Sequence, residues 1–569
     1  MSETAAEPEV PDLRARSPLD RLVAWMGPPR GYQLTRWLVL RLLGFIYVFA
    51  FIGLIKQGPP LLGSHGLTPV GTYLERLHAD GIGFWNAPSL LWLDSSDGAM
   101  MVWAWLGLAL SLAVLIGYAN LPILLALWVL YGSFVRVGQL WFSFGWEIQI
   151  LETTVLAALL AHPWDPRPLT APSPPGVAVV LMRWLAFRIM LGAGLIKLRG
   201  DACWTDLTCL DAHFETQPIP NLLSPLFHHL PQGLQATGVV FNHVVELLLP
   251  FFVFGPRKLR LVAAVGMAAF QIALIASGNL AFLNWLTLVP ILACFDDDFL
   301  LRLVPKRPRA WLKARLAAPS KRDHKQLGIA IGVTLAAILV WAAFPNSVRI
   351  VLVIIAIPAG LAAVHVKKLD GHLVLVGVLT AIIAILSISV VRNLVSNNQA
   401  MNRSYDRFAL VNTYGAFGSV GMERNEIVIE GTRDPDPETA TWHAYELPCK
   451  PGALDRRPCV LGPYHLRLDW LIWFAAMAER VRDPWVVHLV YKLLDGDKEV
   501  RKLLAVDPFD GAKPTYVRIR RFVYHLEPYG SQTWWTRDRE EVWLEPISLD
   551  NPEIVEAIAP FGWPSPSVR

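Results

Sequence analysis

The chain has 569 residues, of which 54% are hydrophobic and only 17% are charged, and it contains 23 tryptophans and 25 phenylalanines. Soluble globular proteins average about 45–50% apolar and about 25% charged residues. The composition therefore excludes an ordinary soluble protein and predicts an integral membrane protein with a soluble part attached. The formal net charge of +4 at pH 7 is too small to indicate binding to nucleic acid.

Apolar stretches of roughly 15–20 residues recur along most of the chain, and each is a candidate membrane-spanning helix. The polar, proline-rich tail before them, residues 1–33, lacks the apolar core of a cleaved signal peptide, so the first helix is expected to stay as an anchor. We predict about eleven spans, at 37–55, 100–119, 121–137, 146–162, 177–196, 239–254, 261–276, 280–295, 327–344, 350–364 and 373–390.

Basic residues predict the orientation of these helices. With the N-terminus in the cytoplasm, the arginines of the tail, the Arg257-Lys258 turn and the dense basic loop 296–326 all fall on the cytoplasmic side. Short loops on the other side carry few lysines and arginines, which is the usual asymmetry of membrane proteins. The N-terminus is therefore expected in the cytoplasm and the region after the last helix outside it.

Four of the five cysteines fall in hydrophilic stretches on the predicted outer side, as the pairs Cys203/Cys209 and Cys449/Cys459. Paired cysteines in an oxidising compartment usually form disulfides. Free thiols, or a metal site built from the first pair and His213, remain alternatives. The fifth, Cys294, lies in an apolar run and is expected to be a buried thiol.

The composition changes after the last helix, and 395–569 is predicted to be an extracytoplasmic soluble domain. Alternating patterns of aromatic and β-branched residues favour strands, whereas two longer apolar stretches favour helices. The strands are expected at 426–430, 441–446, 516–526 and 533–544, and the helices at 466–481 and 485–504. The fold class is thus a multi-pass helical membrane domain, formed by 34–295 and 327–394, followed by a mainly β domain with a helical insert.

Ionisable residues lie at similar depths in several predicted spans, where they are costly and indicate either pairing or function. Glu152, Arg188, His243 and Glu246 all fall in the outer half of the bilayer if each residue rises about 1.5 Å, and Lys197 ends the helix that carries Arg188. His243 and Glu246 are three residues apart and are expected to share a helix face. One interpretation is an outward-facing cavity lined by the first four of these residues, with Lys197 at its rim; the other is that Arg188 only pairs with a glutamate.

Several long segments resemble the lipase maturation factor family. In the membrane half they are GAGLIKLRGDACWTDLTCLDAHFETQPIPN (192–221), FNHVVELLLPFF (241–252) and GNLAFLNWLTLVPILACFDD (278–297). In the tail they are YELPCKPGALDRRPCVLGPYHLRLDWLIWFAAM (445–477) and PWVVHLVYKLLDGD (484–497). The resemblance covers residues 71–543 and implies a multi-pass membrane protein that helps secreted lipases to fold, without a cofactor.

The same resemblance implies how such a protein works. Eukaryotic members lie in the endoplasmic reticulum membrane, and their C-terminal domain is implicated in contact with the client lipase. The compact loops and the arginine, leucine and alanine bias of this chain suggest a bacterial member, which would lie in the plasma membrane. The expected partners are a secreted, lipase-like client, bound by the soluble domain, and the lipid bilayer.

A second likeness leaves an alternative open. The helix ending Gly-Leu-Ile-Lys-Leu, followed by Asp201 and Trp204, is similar to the membrane domain of vitamin K-dependent γ-carboxylase. That similarity implies an enzyme in which Lys197 acts as a base, with Glu152, Arg188 and His243 shaping the site. A small-solute transporter is a third possibility, but the inner halves of the helices offer little of the polar path that it needs.

Overall fold

The computed structural model describes residues 31–167, 169, 173–316, 331–332, 334–335 and 370–563. Helices dominate its first half. In chain order these are α1 (Gln33–Leu62), α2 (Val70–Ala79), α3 (Asp97–Ile116), α4 (Leu121–Val137), α5 (Gly145–Leu160), α6 (Gly176–Arg199), α7 (Cys209–Thr216), α8 (Ser224–His228), α9 (Gln232–His243), α10 (Arg257–Ser277), α11 (Leu283–Leu292), α12 (Asp297–Leu303), α13 (Lys306–Arg315) and α14 (Gly371–Val395).

Six helices within the described ranges are long and apolar enough to cross a membrane. They are α1, α3, α6, α10, α14 and the continuous helical segment Gln232–Phe254, which begins with α9. The shorter helices α4, α5 and α11 overlap three further predicted spans. The predicted spans 327–344 and 350–364 lie almost entirely outside the described residues, so the number eleven stays a prediction.

Local sequence signals explain where several of these helices begin and end. Ser96 and Asn120 cap α3 and α4 by accepting hydrogen bonds from the backbone N–H groups of the first turn. Asp370 caps α14 in the same way. Gly117 ends α3 with a φ of 143°, a backbone conformation that favours glycine. The boundaries therefore follow from capping chemistry as well as from hydrophobic length.

The segment after α9 is irregular, and this irregularity affects the candidate site. A π-helical turn spans Val244–Leu248, and a 3₁₀ segment spans Leu249–Phe254. Pro250 explains part of the departure from α-helix, because proline has no backbone N–H to donate. A π turn changes which side chains share a face, and such turns are frequent at functional sites.

The region after α14 contains a small antiparallel sheet of strands β1 (Arg424–Thr432), β2 (His443–Ala444), β3 (Tyr516–Leu526) and β4 (Trp535–Ile547). The strand order is β2-β1-β3-β4, and β1 pairs with β3 along its whole length from Arg424 opposite Tyr524. Helices α15 (Arg467–Ala476), α16 (Pro484–Leu494) and α17 (Pro552–Ile558) complete the region, with short 3₁₀ turns between elements. All four predicted strands and both predicted helices have counterparts here.

Buried polar contacts connect the C-terminal region to the membrane helices. Arg467, at the start of α15, forms an ion pair of 2.7 Å with Glu147 of α5 and donates to the Trp141 carbonyl. The Tyr131 hydroxyl of α4 donates to the same carboxylate. In addition, Gln57 of α1 donates to the His465 carbonyl and accepts from the Arg467 N–H. This cluster joins three membrane-region helices to α15.

Two further contacts hold the sheet and the Cys449–Cys459 segment in place. The guanidinium of Arg424 in β1 donates to the carbonyls of Glu215, in the last turn of α7, and of Gln217 and Pro218 directly after it. The Asn279 side chain, between α10 and α11, donates to the Cys459 carbonyl and accepts from the Leu461 N–H at 2.8 Å. The boundary predicted at residue 395 stays a prediction, but buried contacts cross it at several places.

The structure contains both predicted disulfides, Cys203–Cys209 and Cys449–Cys459. Cys294 is a free, buried cysteine, as expected. The first disulfide lies in a small apolar cluster with Trp204, Val239 and Val420, so it ties the loop after α6 to α9 and to the C-terminal region. Among the described residues, no group of three or more His, Cys, Asp or Glu side chains is arranged to hold a metal ion.

Replacing Arg467 with methionine tests the contact between the two regions. The change leaves the Glu147 carboxylate buried without its cation, and breaking one side of a buried pair costs about 3–5 kcal/mol. We expect Arg467→Met to lower the unfolding temperature of the full chain in detergent, and Arg467→Met/Glu147→Gln to recover part of the loss. The control is Arg457→Met, at an exposed arginine of the same region. Equal unfolding of the Arg467 and Arg457 variants would contradict this role.

Candidate functional site

A cavity of about 240 Å³ lies between α6, α9, α10, α11 and the segment 402–417. Its wall is mostly apolar, with apolar side chains from all four helices. Polar side chains project from only part of this wall. They belong to Lys197, Glu246, Asn242, Gln149, Asn284, Gln271, His213 and Gln235, among others. An apolar pocket with a few convergent polar groups is the usual form of a small-molecule site.

Lys197 lines this cavity, and its ammonium group has a hydrogen-bond acceptor for each of its three N–H donors. It donates to both carboxylate oxygens of Glu246 at 2.7 Å and to Asn242 Oδ1 at 2.9 Å. The Asn242 amide in turn donates to Glu246, and the Trp204 ring lies 4.9 Å from the lysine Nζ. Three N–H donors thus meet three acceptors. This arrangement stabilises the ammonium, whereas a general base needs the neutral amine and its lone pair.

Glu152 and Arg188 form a second buried group, and they are not among the residues lining the cavity. The Arg188 guanidinium donates to Glu152 and to the Asn412 carbonyl, while the Glu152 carboxylate also accepts from the Tyr414 hydroxyl at 2.7 Å and from the Asn412 N–H. The expected single cavity with all five residues is therefore wrong. The simpler interpretation, in which Arg188 pairs with a glutamate, describes this group.

His243 does not share the position of Glu246. Its Nε2 lies 2.9 Å from the Trp204 carbonyl oxygen, and its side chain is only partly buried outside the cavity wall. The π turn that starts directly after His243 explains the difference, because the predicted face assumed regular α-helical spacing. Asn242, four residues before Glu246, is the residue that contacts the carboxylate instead.

Backbone segments of the C-terminal region lie at the end of the cavity that is next to the C-terminus of α6. Gly192 of α6 and Gly200 directly after it lie so close to the Tyr414 and Gly418 carbonyls that a Cβ atom at either position would overlap them. Asp201 accepts a hydrogen bond of 2.7 Å from the Val420 N–H, and Trp204 donates to the Phe417 carbonyl. Small residues and Asp201 in the segment GAGLIKLRGD therefore allow the backbone of residues 414–420 to pack directly against it.

His213 of α7, one turn after the disulfide-bonded Cys209, also faces the cavity, where its ring packs edge-on against Phe417. Burial, assisted by the nearby Lys197 charge, lowers the pKa of His213 to about 4. The imidazole is consequently neutral at physiological pH. His213 entered the sequence predictions only as a possible ligand of a metal site with Cys203 and Cys209, and those two cysteines form a disulfide instead.

The residues that sequence analysis missed come from the C-terminal region. Asn412 and Tyr414 complete the Glu152–Arg188 group, yet they follow Glu152 by more than 250 residues. No local pattern links them to α5. The polar residues of the spans themselves, such as Gln149 and Asn284, were visible in the sequence because amides are rare at membrane depth.

Comparisons with known proteins match both halves of the chain. Residues 34–302 match the lipase maturation factor transmembrane domain, and residues 410–545 match the lipase maturation factor C-terminal domain. Lipase maturation factor 1 of Mus musculus is 41% identical over 558 residues, covering 94% of this chain and 90% of that protein. The Homo sapiens protein of the same name is 39% identical, covering 98% and 95%.

A more distant relative extends the same result. Lipase maturation factor 2 of Mus musculus is 31% identical, covering 91% of this chain and 83% of that protein. No solved structure is significantly similar to the chain. Two family domains in the correct order, with identity over nearly the full length, lead to one conclusion: the chain belongs to the lipase maturation factor family.

Proposed function

We propose that this protein is a membrane-anchored maturation factor that helps secreted lipases to reach their active state. The observation that carries the proposal is the similarity over 94% of the chain to a protein named lipase maturation factor 1, with both domains included. The client class follows from that name. The membrane helices hold the protein at the bilayer, and the C-terminal region contacts the client.

The proposed orientation places the N-terminus in the cytoplasm and the C-terminal region outside it. Three observations support this placement. The disulfide loop 203–209 contacts the C-terminal region directly through Asp201 and Trp204, so both disulfides lie on the same side. Disulfides persist in oxidising compartments. The basic segments fall on the opposite side. In a eukaryotic cell this corresponds to the endoplasmic reticulum membrane, and in a bacterium to the plasma membrane.

Client contact needs exposed side chains on a firmly held surface, and Val460 meets this requirement. Its side chain is 77% exposed, although it directly follows the disulfide-bonded Cys459. Asn279 binds the backbone on both sides of it, at Cys459 and Leu461. In contrast, the outer strand β4 carries the charged run Arg537–Glu541, which discourages pairing with another strand. We therefore assign client contact to the disulfide-bonded Cys449–Cys459 segment together with Val460, which follows it directly.

The alternative function is an enzyme that uses Lys197 as a base. Its support is the position of Lys197 in a cavity. The hydrogen bonds from the Lys197 ammonium to Glu246 and Asn242 argue against this function, because they stabilise the charged form that cannot accept a proton. We favour a role in which Lys197 and Glu246 neutralise each other at the cavity wall.

Expression of the full chain together with a secreted lipase tests the proposed function. The host is a cell line that lacks its own lipase maturation factors. We expect the chain to raise the activity of the secreted lipase per unit of lipase protein at least fivefold. A membrane-localised chain that leaves this specific activity unchanged would rule the function out.

The substitution Val460→Asp tests the assigned contact surface. A charge at the centre of an apolar contact is expected to lower lipase activation at least fivefold, equivalent to about 1 kcal/mol of binding. Val542→Asp, at an exposed valine of β4, is the matched control and should retain activation. The measurement is secreted lipase activity at equal membrane levels of each variant. Equal activation by both variants would remove Val460 from the client surface.

Paired substitutions at Lys197 and Glu246 separate the two functions. Lys197→Met leaves a buried carboxylate unpaired and should lower the level of folded protein, since such a loss costs about 3–5 kcal/mol. Lys197→Met/Glu246→Met removes both charges and should restore that level together with at least half of the lipase activation. A double variant that is folded but inactive would instead support the enzyme.

A further inference from the structure

The cavity beside Lys197 opens between two candidate membrane helices. The segment Gln232–Phe254 packs closely on α10 along Leu249–Phe254, whereas its first part, α9, has few close approaches to α10. The helices therefore separate toward the outer side. Leu234, Phe241 and Ala273 line this gap, and all three side chains are exposed at the protein surface. On helices that lie in a bilayer, such a gap opens toward lipid chains rather than toward water.

Inside the cavity, three amide side chains lack suitable partners. Asn284 is only 4% exposed, lines the cavity, and makes no hydrogen bond with any residue that the structure describes. Gln149 is fully buried; its Nε2 donates to Thr287 Oγ1 at 3.3 Å, but its Oε1 has no hydrogen-bond partner among the described residues. Gln271 has only a weak contact of 3.6 Å to the Met190 sulfur. Buried amides left unpaired are costly, so these groups point to a ligand that supplies the missing hydrogen bonds.

The charges around the cavity define the head group that fits. Lys197 and Glu246 neutralise each other at 2.7 Å, and His213 is uncharged at physiological pH. No lining cation is left to balance a phosphate or a carboxylate within the described residues. An anionic head group would lose its hydration there without gaining a partner. The polar groups that remain available are neutral amides, which both donate and accept hydrogen bonds.

We propose that this cavity binds one neutral, single-chain lipid that enters sideways from the bilayer, with hydroxyl or ester oxygens of its head group bound by Asn284, Gln149 and Gln271. A monoacylglycerol is the simplest member of this class. The acyl chain lies along the apolar wall and leaves through the gap beside Phe241 and Ala273. The cavity of about 240 Å³ is at the small end of the range for ligand sites, about 300–1,000 Å³, and this favours a single chain.

This inference goes beyond the proposed function, because the cavity binds lipid whether or not a lipase is the client. The site is separate from the Cys449–Cys459 segment assigned to client contact. A phospholipid is disfavoured by the neutral lining, and a water-soluble substrate is disfavoured by the apolar rim. These alternatives give different results in the experiment below.

Photolabelling of the purified full chain in detergent micelles tests the proposal. The probe is a monoacylglycerol that carries a diazirine and an alkyne in its acyl chain. The comparison probe is lysophosphatidylcholine with the same modified chain. We expect the monoacylglycerol to label peptides that contain Phe241 or Phe270, and unlabelled monoacylglycerol to compete. Labelling by the lysophosphatidylcholine probe is expected to be at least fivefold weaker.

Two pairs of variants make the result specific. Ala273→Trp fills the gap and should lower labelling at least fivefold, whereas Ala269→Trp, at an exposed position one turn away on α10, should not. Asn284→Leu keeps the side-chain size but removes the amide, and should weaken competition at least tenfold; exposed Asn397→Leu is its control. If Asn284→Leu does not fold, Gln271→Leu replaces it with the same expectation. Equal labelling of the two tryptophan variants, or stronger labelling by the lysophosphatidylcholine probe, would overturn the proposal.

Discussion

The structure depends on the pairing of two buried carboxylates on α5. Glu147 and Glu152 are both fully buried, and helix α5 has almost no exposed surface of its own. An unpaired charge in such a place costs several kcal/mol. Glu147 forms an ion pair with Arg467. Glu152 forms an ion pair with Arg188 and accepts hydrogen bonds from Asn412 and Tyr414. Because three of these partners come from the C-terminal region, α5 reaches its final environment only when that region is folded against it.

Close backbone contacts also join the C-terminal region to the end of α6 and to the α10–α11 connection. Gly192 and Gly200 are needed where the 414–418 backbone crosses α6, and Asp201 fixes the same backbone at Val420. The Asn279 amide performs a similar task for the Cys459 segment. Residues that are distant in sequence are therefore constrained together. The segment after α6, the α10–α11 connection and the chain after α14 are thereby held together beside the cavity.

The sequence predicted much of the fold because hydrophobic length and alternation are local properties. Strand β3 has the predicted bounds, and α4 begins and ends at the predicted residues. The disulfides followed from cysteine spacing and orientation. The site was predicted less well, since its geometry depends on non-local contacts. Periodicity placed His243 with Glu246, but the π turn separates them, and nothing near Glu152 indicates Asn412 or Tyr414 as partners.

The charges at the cavity wall bear on what this pocket can do. Mutual neutralisation of Lys197 and Glu246 leaves a mostly apolar pocket without net charge among the candidate membrane helices. For Lys197 to act as a base, its ion pair with Glu246 would have to break. A neutral pocket, by contrast, needs no rearrangement to accept a lipid. The structure therefore favours binding and support over catalysis in the membrane half of this protein.

The central claim is that the membrane helices and the C-terminal region form one body held by buried polar contacts. Its most direct test is a protease site inserted at the exposed residues Asn397 and Asn398, just after α14, in the full chain in permeabilised membranes. After cleavage, the C-terminal fragment should stay with the membranes through a high-salt wash and leave only when denaturant is added. Release of the fragment on cleavage alone would contradict the account.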